Sequence, residues 1–381
     1  MKPVPFAEPH APGEAASVTL RALATDVPDN PVDQDETARI AQSLFADTVP
    51  DLDRLMTVFG NSGIVKRHMA MPTEWYLQQR DWAERTDTFL DVGKRLFLRA
   101  AKQALDDAGL TGADIDCVVT VTSTGIVTPS LEALAAGELG LRSDVLRVPV
   151  FGLGCAGGVK GLTIASDLAR AVPGRNILLV AVELCSLAFR LDKATKANVV
   201  ATALFADGAA AAVVSSGSGA HAGPFGGQRM EPVRLGVGQQ HTWPDTLGIM
   251  GWNIDPTGFE VVFDRAIPPF ARRHLKPVID GFFDNWHLDQ SDVARMLFHP
   301  GGEKVLQAIE GAYGLPKRTL DIERDILRAY GNMSSPTALF VLKSYLAANA
   351  GNATQVEREI LVLTALGPGF TAASIPLQVT S

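Results

Sequence analysis

The stretch Val148-Pro-Val-Phe-Gly-Leu-Gly-Cys-Ala-Gly-Gly-Val-Lys-Gly-Leu162 is the most informative part of the sequence. Apolar and β-branched residues precede its cysteine, and apolar residues recur at helical spacing after it, which predicts a strand that runs into a helix. A thiol at that junction faces the positive end of the helix dipole, which favours the nucleophilic thiolate. The neighbouring glycines leave room for a substrate to approach the sulfur. The stretch therefore predicts that Cys155 is a nucleophile.

Two other interpretations of this stretch stay open at this point. A single cysteine in an apolar setting is more often a small buried core residue than a nucleophile. Gly152, Gly154 and Gly157 also satisfy the pattern G-x-G-x-x-G between a predicted strand and a predicted helix, and Glu183 ends the next strand. That arrangement is typical of a dinucleotide-binding Rossmann domain.

Composition narrows the class of protein. The chain has 381 residues, of which 46% are hydrophobic, enough for a large core and for two domains or two fused halves. Its formal net charge of -8 argues against nucleic acid or an anionic membrane as a partner, because both require a basic surface. Cys117, Cys155 and Cys185 have no spacing typical of disulfides or zinc. Since no leader-like segment and no apolar run of membrane-spanning length is found, we expect a cytoplasmic protein.

The second half of the chain repeats the first in outline. A turn-rich linker at 215–227 separates an N-terminal half, 1–220, from a C-terminal half, 221–381. Asp292 precedes a predicted strand and lies 178 residues after Asp114, which does the same. Asn332 lies 177 residues after Cys155. It follows a predicted strand, Ile326 to Tyr330, and precedes a predicted helix. Two features that repeat at nearly one spacing predict a duplicated α/β unit.

A duplication with a pseudo-twofold axis would bring equivalent strand ends together. Asn332 would face Cys155, and His299, which ends the strand matching Cys117 to Val121, would lie beside them. His299 can pair with the sulfur as an imidazolium, and Asn332 supplies an uncharged donor. Both could hold the thioester carbonyl of a malonyl group while decarboxylation leaves an enolate. We therefore predict one site for decarboxylative Claisen condensation, which a Rossmann enzyme would not need.

Five motifs carry a resemblance to a known family. They are Gly154-Cys155-Ala-Gly-Gly158, Leu204-Phe205-Ala-Asp-Gly208, His299-Pro-Gly-Gly302, Gly331-Asn332-Met-Ser-Ser335 and Gly367-Pro-Gly-Phe370. In this order they resemble the signatures of the type III polyketide synthases, the chalcone-synthase-like branch of the thiolase fold, over nearly the whole chain. The resemblance implies a duplicated five-layer αβαβα homodimer. It also implies an acyltransferase with the triad Cys155, His299 and Asn332, with acyl-CoA and malonyl-CoA as substrates and with neither metal nor cofactor.

The resemblance assigns roles to residues around the triad as well. Phe205 would gate the CoA tunnel, and the loop Gly367-Pro368-Gly369 would line the site. Val261 replaces the family's second gatekeeper phenylalanine and would widen the cavity. Further substrate-binding positions that the resemblance implies are Ser123, Thr124, Cys185, Ser334 and Thr128, the last on a loop that in relatives reaches across the dimer into the partner's cavity.

The CoA-binding residues of plant relatives are only partly kept. Arg54 fits the family pattern, but Thr57 and Asn61 replace cations, with Lys66 and Arg67 nearby. This departure leaves room for delivery of the starter by an acyl carrier protein.

Ser123 and the run Glu183-Leu-Cys-Ser-Leu187 resemble bacterial enzymes that accept fatty acyl starters. We therefore predict that the protein extends a medium or long acyl starter with malonyl-CoA two or three times and closes an alkylpyrone or alkylresorcinol. Starter length and the choice between aldol and lactone closure do not follow from the motifs.

Three alternatives remain. A ketoacyl-ACP synthase III shares the triad and stops after one condensation, but Met333, Ser334 and the Gly-Pro-Gly loop favour the polyketide branch. The second alternative is a nucleotide-dependent oxidoreductase built on the glycine pattern. The third, a thiolase-fold binding protein without activity, is disfavoured because all three triad residues are present.

Overall fold

Strands and helices alternate along the chain in the computed structural model, which describes residues 17–46, 49–193, 195–217, 224–225, 228–229, 233–349 and 358–380. The boundary expected between residues 220 and 221 lies outside these ranges, as does much of the expected linker. None of the helices in the described part of the chain combines the length and the apolar character needed to cross a membrane.

The first half contains seven strands and seven helices within the described ranges. They are β1 (Val18–Asp26), β2 (Asn30–Asp33), α1 (Gln34–Phe45), α2 (Leu52–Asn61), β3 (Lys66–Met69), α3 (Thr73–Tyr76), α4 (Trp82–Ala108), β4 (Cys117–Thr122), α5 (Leu131–Leu139), β5 (Leu146–Phe151), α6 (Gly157–Ala171), β6 (Asn176–Leu184), α7 (Lys196–Leu204) and β7 (Asp207–Ser216). The single helix predicted from Asp35 to Leu55 is wrong. It is divided into α1 and α2, and the second helix begins after Asp51, whose φ is positive at 57°.

The second half follows a related order. Its elements are β8 (Pro224–Phe225), β9 (Gln228–Arg229), β10 (Val233–Leu235), β11 (Gln239–Thr242), β12 (Met250–Asp255), β13 (Gly258–Phe263), α8 (Ile267–Trp286), β14 (Val293–Phe298), α9 (Glu303–Tyr313), α10 (Asp321–Tyr330), α11 (Ser335–Asn349), β15 (Arg358–Gly367) and β16 (Thr371–Thr380). Outside the main sheet, β2 pairs with β3, β8 with β9 and β12 with β13.

The main sheet shows the duplication directly. Its order is β14-β15-β16-β10-β1-β7-β6-β4-β5, with β11 also paired to β16. In the first half β4 runs parallel to β6, and β7 is antiparallel to both β6 and β1. In the second half β14 runs parallel to β15, and β16 is antiparallel to both β15 and β10. The two halves therefore repeat one strand order and meet where β1 pairs with β10.

The aspartates that suggested the repeat have the same local role. Asp114 accepts a hydrogen bond from the Thr111 backbone N–H at 2.8 Å, and Asp292 accepts one from the Asp289 N–H at 2.8 Å. Each closes a 3-10 turn that leads into the equivalent strand, β4 or β14. The predicted duplication is confirmed at these positions.

Helices cover the sheet in a way that produces five layers. α6 and α11 lie in the middle and pack against strands of both halves in the central core, which includes Val159, Leu162, Leu339 and Val341. α4 covers the outer face of the first half, and α8 and α9 cover that of the second. The layers follow the order αβαβα. Because both faces of β6 and β7 are covered, these strands are continuous apolar runs.

One predicted strand is wrong. Residues 326–330 belong to α10, so the first-half strand β5 has no counterpart before Asn332. Ile322, Ile326 and Leu327 recur at helical spacing and pack inward, whereas the strand prediction considered only the short apolar run. Glu323 on the same helix is fully buried and accepts a hydrogen bond from Arg295 at 3.0 Å. Cys155 is therefore reached from a strand and Asn332 from a helix.

The central helices α6 and α11 approach each other closely at their first turns. A Cβ on Gly158 would lie 2.2 Å from the Ser335 carbonyl oxygen and 3.4 Å from a side-chain carbon of Leu339. Any residue other than glycine would force the helices apart. The glycines that follow Cys155 are thus required where the two halves meet.

Replacing Gly158 by alanine is expected to lower the free energy of unfolding, because the added methyl group overlaps the Ser335 carbonyl oxygen. Overpacking of this kind costs about 1–3 kcal/mol. The matched control is Gly137→Ala on α5, where no atom of the described residues lies within 4 Å of the added methyl group. Losing a helical glycine there should stabilise the protein by about 0.5–1 kcal/mol. Urea unfolding midpoints measure both changes, and equal midpoints for the two variants would contradict the close contact.

Candidate active site

Cys155 lies in a 3-10 turn, Gly154–Ala156, between β5 and α6. Gly154 has a positive φ of 49°, and a Cβ there would lie 2.5 Å from Pro368. Its N–H donates to the Ser123 hydroxyl at 2.8 Å. The turn is therefore clamped between the end of β4 and the loop after β15.

Asn332 is held by its backbone as well as by its side chain. Its N–H donates to the Leu204 carbonyl and its carbonyl accepts from the Ala206 N–H, both at 2.9 Å. The side-chain Oδ1 accepts from the Ser334 N–H at 2.9 Å and from the Cys155 thiol at 3.9 Å. The Nδ2 donates to the Gly301 carbonyl at 3.3 Å. The amide is thus fixed beside the sulfur.

His299 follows the last residue of β14. Its N–H donates to the Thr364 carbonyl at 2.8 Å, which continues the pairing of β14 with β15. The imidazole is buried, and neither ring nitrogen has a hydrogen-bond partner in the part of the chain that the structure describes. Both nitrogens are thus available to a ligand.

Cys155, His299 and Asn332 line one pocket, as the pseudo-twofold argument predicted. The pocket is narrow, and part of it is open to solvent. Most of the other walls are apolar side chains of α8, α9 and their neighbours, including Met250, Ile267, Leu275, Phe298, Val305 and Ile309. The structure therefore brings the three side chains together at the wall of an apolar chamber.

Burial controls the charge state of this group. It raises the pKa of the Cys155 thiol to about 12, opposed by hydrogen bonds with Ser334 and Asn332 and reinforced by the carboxyl of Glu183. Burial also lowers the pKa of His299 to about 3. The sequence predicted a stabilised thiolate from the helix dipole, whereas burial shifts the pKa of this thiol in the opposite direction. Burial thus disfavours the charged form of both side chains.

Glu183 connects the two halves underneath the site. One carboxylate oxygen accepts from the Ser123 N–H at 2.9 Å and from the Thr124 hydroxyl at 2.8 Å. The other accepts from the Ser335 hydroxyl at 2.9 Å. Burial raises the pKa of Glu183 to about 7 in spite of these bonds. Glu183, which could also have been the ribose-binding acid of a Rossmann domain, is thus surrounded by hydroxyl and amide groups of the protein.

Other predicted residues surround this centre. A Cβ on Gly367 would lie 2.7 Å from that of Ala156, so the loop of Gly367, Pro368 and Gly369, where Gly369 has a φ of 112°, packs directly against the cysteine turn. Ser334, with a φ of 60°, is buried beside the sulfur.

Phe205, Val261 and Cys185 form one small apolar cluster, and the Phe205 ring also contacts Trp252 and Phe263. Ser123 and Thr124 hold Glu183 and the cysteine turn rather than lining the pocket. Thr128 is exposed.

A wide mouth adjoins the pocket at Phe263, Gly301 and Val305 and has about 1640 Å³ of free space, including open solvent. Arg54, Thr57 and Asn61 line it. Three further cations line the mouth and were not predicted from the sequence, namely Lys196, Arg265 and Lys304. They come from α7, from the segment before α8 and from α9, so no local spacing connects them. Only Lys304, close to the His-Pro-Gly-Gly motif, gave a signal that could have been used.

The position of Arg67 differs from the one that the sequence suggested near this mouth. The resemblance placed it near the cations that hold CoA, but the side chain is completely buried and binds backbone carbonyls at the end of α7. Lys66, its neighbour on β3, is exposed. Alternation along a strand explains the difference, since successive side chains point to opposite faces.

Comparison with known proteins gives matches to nearly the whole chain. The family model for the N-terminal domain of chalcone and stilbene synthases matches residues 9–218, and that for their C-terminal domain matches residues 234–380. The 1,3,6,8-tetrahydroxynaphthalene synthase of Streptomyces peucetius subsp. caesius is 38% identical over 94% of this chain and 93% of its own length. The 3,5-dihydroxyphenylacetyl-CoA synthase of Amycolatopsis orientalis is 33% identical over 85% of each chain.

A solved structure agrees with these matches. The 1,3,6,8-tetrahydroxynaphthalene synthase of Streptomyces coelicolor A3(2), a bacterial type III polyketide synthase, superposes with a TM-score of 0.86 at 28% identity. The superposition covers 95% of this chain and 99% of that one.

Alkylation of Cys155 by iodoacetamide is expected to accelerate about tenfold per pH unit between about pH 6 and pH 9 without a plateau. Only the thiolate reacts, and a pKa of about 12 keeps its fraction small and rising throughout this range. Peptide mass spectrometry would separate this reaction from those of Cys117 and Cys185, and Cys155→Ser is the control. A rate that levels off below pH 7 would indicate a preformed thiolate–imidazolium pair and contradict the neutral state.

Proposed function

This chain belongs to the chalcone and stilbene synthase family, and we propose that it builds an alkylpyrone or alkylresorcinol from a fatty acyl starter and malonyl-CoA. As a type III polyketide synthase it is an acyltransferase that acts by Claisen condensation. The observation that carries the proposal for the starter is the apolar pocket that opens directly from the three polar side chains. An alkyl chain that enters it loses contact with water and gains about 0.8 kcal/mol for each buried CH₂ group.

The first step is transfer of the starter to Cys155. Because burial disfavours the charged forms of both side chains, the proton leaves the sulfur for His299 as the sulfur attacks the thioester carbon. The carbon–sulfur bond to CoA breaks, and the CoA sulfur takes the proton from His299. The enzyme then carries the acyl group as a thioester and is neutral again.

The second step forms the new carbon–carbon bond. Malonyl-CoA loses CO₂, and the electron pair of the broken bond becomes an enolate whose oxygen accepts hydrogen bonds from His299 and Asn332. The Asn332 amide is suited to this role because its bond to the Gly301 carbonyl is long, at 3.3 Å. The enolate carbon attacks the acyl carbon on Cys155, and the sulfur leaves as a thiolate that takes up one proton from water. The extended chain, now on CoA, returns to Cys155 for the next cycle.

The mouth fits the polar part of the substrate. Arg54, Lys196, Arg265 and Lys304 are exposed around it and offer positive charge to the phosphates of CoA. Asp51, Asp264 and Glu303 line the same mouth, so the four cations leave it with a small positive charge. An acyl carrier protein would present the same phosphopantetheine thioester to this mouth, with its own acidic surface in place of the nucleotide.

We propose that the enzyme works as a homodimer in the cytoplasm. Among the described strands β5 lies at the edge of the sheet and pairs only with β4. It exposes Leu146 and Phe151, while Ile126 is exposed beside Thr128. Apolar residues on an open sheet edge favour pairing with another chain. A second copy would cover them and bring its own Thr128 loop towards this cavity.

A second candidate product is supported by the relatives. The two tetrahydroxynaphthalene synthases carry names of aromatic products without an alkyl chain. This chain would then use malonyl-CoA both to start and to extend, and the apolar pocket would hold the folded intermediate.

Mass spectrometry of products distinguishes the two candidates. Purified enzyme would be given malonyl-CoA alone, then malonyl-CoA with acyl-CoA or acyl carrier protein starters of graded length, beside Cys155→Ala. We expect alkylpyrones or alkylresorcinols that peak at one starter length and are absent in the control. An aromatic product from malonyl-CoA alone would select the second candidate. A single β-ketoacyl product would indicate a ketoacyl synthase, and no condensation would refute the role of Cys155.

Narrowing the pocket tests where the alkyl chain lies. Ile309→Phe on α9 fills the apolar chamber, whereas Val261→Phe fills the cluster around Phe205 and Cys185. We expect Ile309→Phe to lower kcat/KM for medium and long starters about 10- to 100-fold while acetyl-CoA is little affected. Val261→Phe should leave the chain-length profile unchanged, with thermal melting recorded for both variants. The reverse result would place the chain beside Cys185, as the family resemblance implied.

A further inference from the structure

Arg67 is a charged side chain with no exposed surface. It extends from β3 to the last turn of α7. Its Nη1 donates to the carbonyls of Thr202 at 2.6 Å and Phe205 at 2.9 Å, and its Nη2 donates to the carbonyl of Ala203 at 3.0 Å and to the side-chain oxygen of Gln34. One guanidinium thus holds three backbone carbonyls.

The contacts explain why the charge is tolerated there. The last carbonyls of a helix have no partner within the helix and form the negative end of its dipole. A planar guanidinium can bond several of them at once in one fixed geometry, which a lysine ammonium cannot do. Gln34 supports the arrangement, because its Nε2 donates to the Ala203 carbonyl at 2.9 Å. The end of α7 is therefore held in a single position.

The carbonyl of Leu204, between those that Arg67 binds, connects the end of α7 to the active site. The Leu204 carbonyl accepts from the Asn332 N–H, and the Ala206 N–H donates to the Asn332 carbonyl, both at 2.9 Å. Carbonyls 202 to 205 are all occupied, three by Arg67 and one by Asn332. A Cβ on Gly331 would lie 3.0 Å from that of Ala206 and 3.5 Å from that of Arg67, so the segment before Asn332 also packs directly on this corner.

We propose that Arg67 is a positioning residue for Asn332, and that it acts through the last turn of α7 rather than by binding CoA. The inference rests on the proposed function, in which Asn332 serves decarboxylation and condensation but not the transfer of the starter to Cys155. Loss of the guanidinium should therefore slow the second step selectively. Misplacement of a catalytic group by about 1 Å can cost about 100-fold in rate.

Arg67→Lys is the test variant, because it keeps the charge and removes the three-way contact. Its matched control is Arg21→Lys. Arg21 also donates to a carbonyl at the end of a helix, that of Ala108 on α4 at 2.9 Å. It lies on β1 beside Val213 and Val214, at the other end of β7 from Asp207. Gln34→Met is a second variant that weakens the same corner and replaces Arg67→Lys if the latter does not fold.

Two half-reactions are measured for each protein. Acylation of Cys155 by acyl-CoA without malonyl-CoA is followed by intact-protein mass spectrometry, and decarboxylation of malonyl-CoA by release of CO₂. In Arg67→Lys we expect acylation within about threefold of wild type and decarboxylation lowered about 10- to 100-fold. Gln34→Met should also slow decarboxylation more than acylation, but by a smaller factor. Arg21→Lys should leave both rates within about threefold of wild type. Equal losses in both half-reactions of Arg67→Lys would overturn the proposal.

A double-mutant cycle separates positioning from general stability. If Arg67 acts through Asn332, then Arg67→Lys should cause little further loss of decarboxylation in an Asn332→Ala enzyme. If the two losses multiply, Arg67 does not act through this amide and the proposal fails.

Amide hydrogen exchange tests whether Arg67 holds Asn332 in position. This test needs no assumption about the reaction. The amides of Asn332 and Ala206 should exchange faster in Arg67→Lys than in wild type and in Arg21→Lys. Unchanged exchange would refute the positioning role. Faster exchange in a protein whose wild type neither decarboxylates nor condenses would instead refute the proposed function and leave the positioning role intact.

Discussion

The contact between the first turns of α6 and α11 sets the geometry of everything around it. Gly158 lets the Ser335 carbonyl approach to a distance that no side chain would permit, so the helices that follow Cys155 and Asn332 begin side by side. The sulfur and the amide oxygen are then 3.9 Å apart without any further adjustment. Pro368 fills the space beside Gly154, and Glu183 bonds Ser335 from below. Residues from both halves of the duplicated fold thus form one site.

The charged residues at the mouth and the buried triad lie at different places along the proposed substrate path. The exposed cations lie at the mouth, where water keeps them charged and a phosphate can reach them. The triad is buried, and burial disfavours the charged forms of both the thiol and the imidazole. A low-polarity chamber also strengthens each hydrogen bond to a developing oxyanion.

The sequence was sufficient for those features that a short segment determines. Cys155, His299 and Asn332 each follow a local pattern of apolar run, glycine-rich turn and helix, and the repeat placed them together. The helix α10 was missed because a five-residue segment that is apolar except for Arg328 fits a strand as well as a helix. Lys196, Arg265 and Lys304 converge from three distant segments, and the burial of Arg67 depends on the packing of β3 against α7. Such features follow from tertiary contacts, which one sequence does not display.

The buried carboxyl of Glu183 makes the fold itself sensitive to pH. Its pKa is raised to about 7 in the folded protein, and that of Asp207 is raised to about 6, both mainly by burial. Between the unfolded and folded pKa values the folded chain holds protons that the unfolded chain has released. Its free energy of unfolding therefore falls as the pH rises through this range. Thiolate formation on Cys155 follows the opposite trend. Burial of these carboxyls and formation of the thiolate therefore favour different ends of the pH scale.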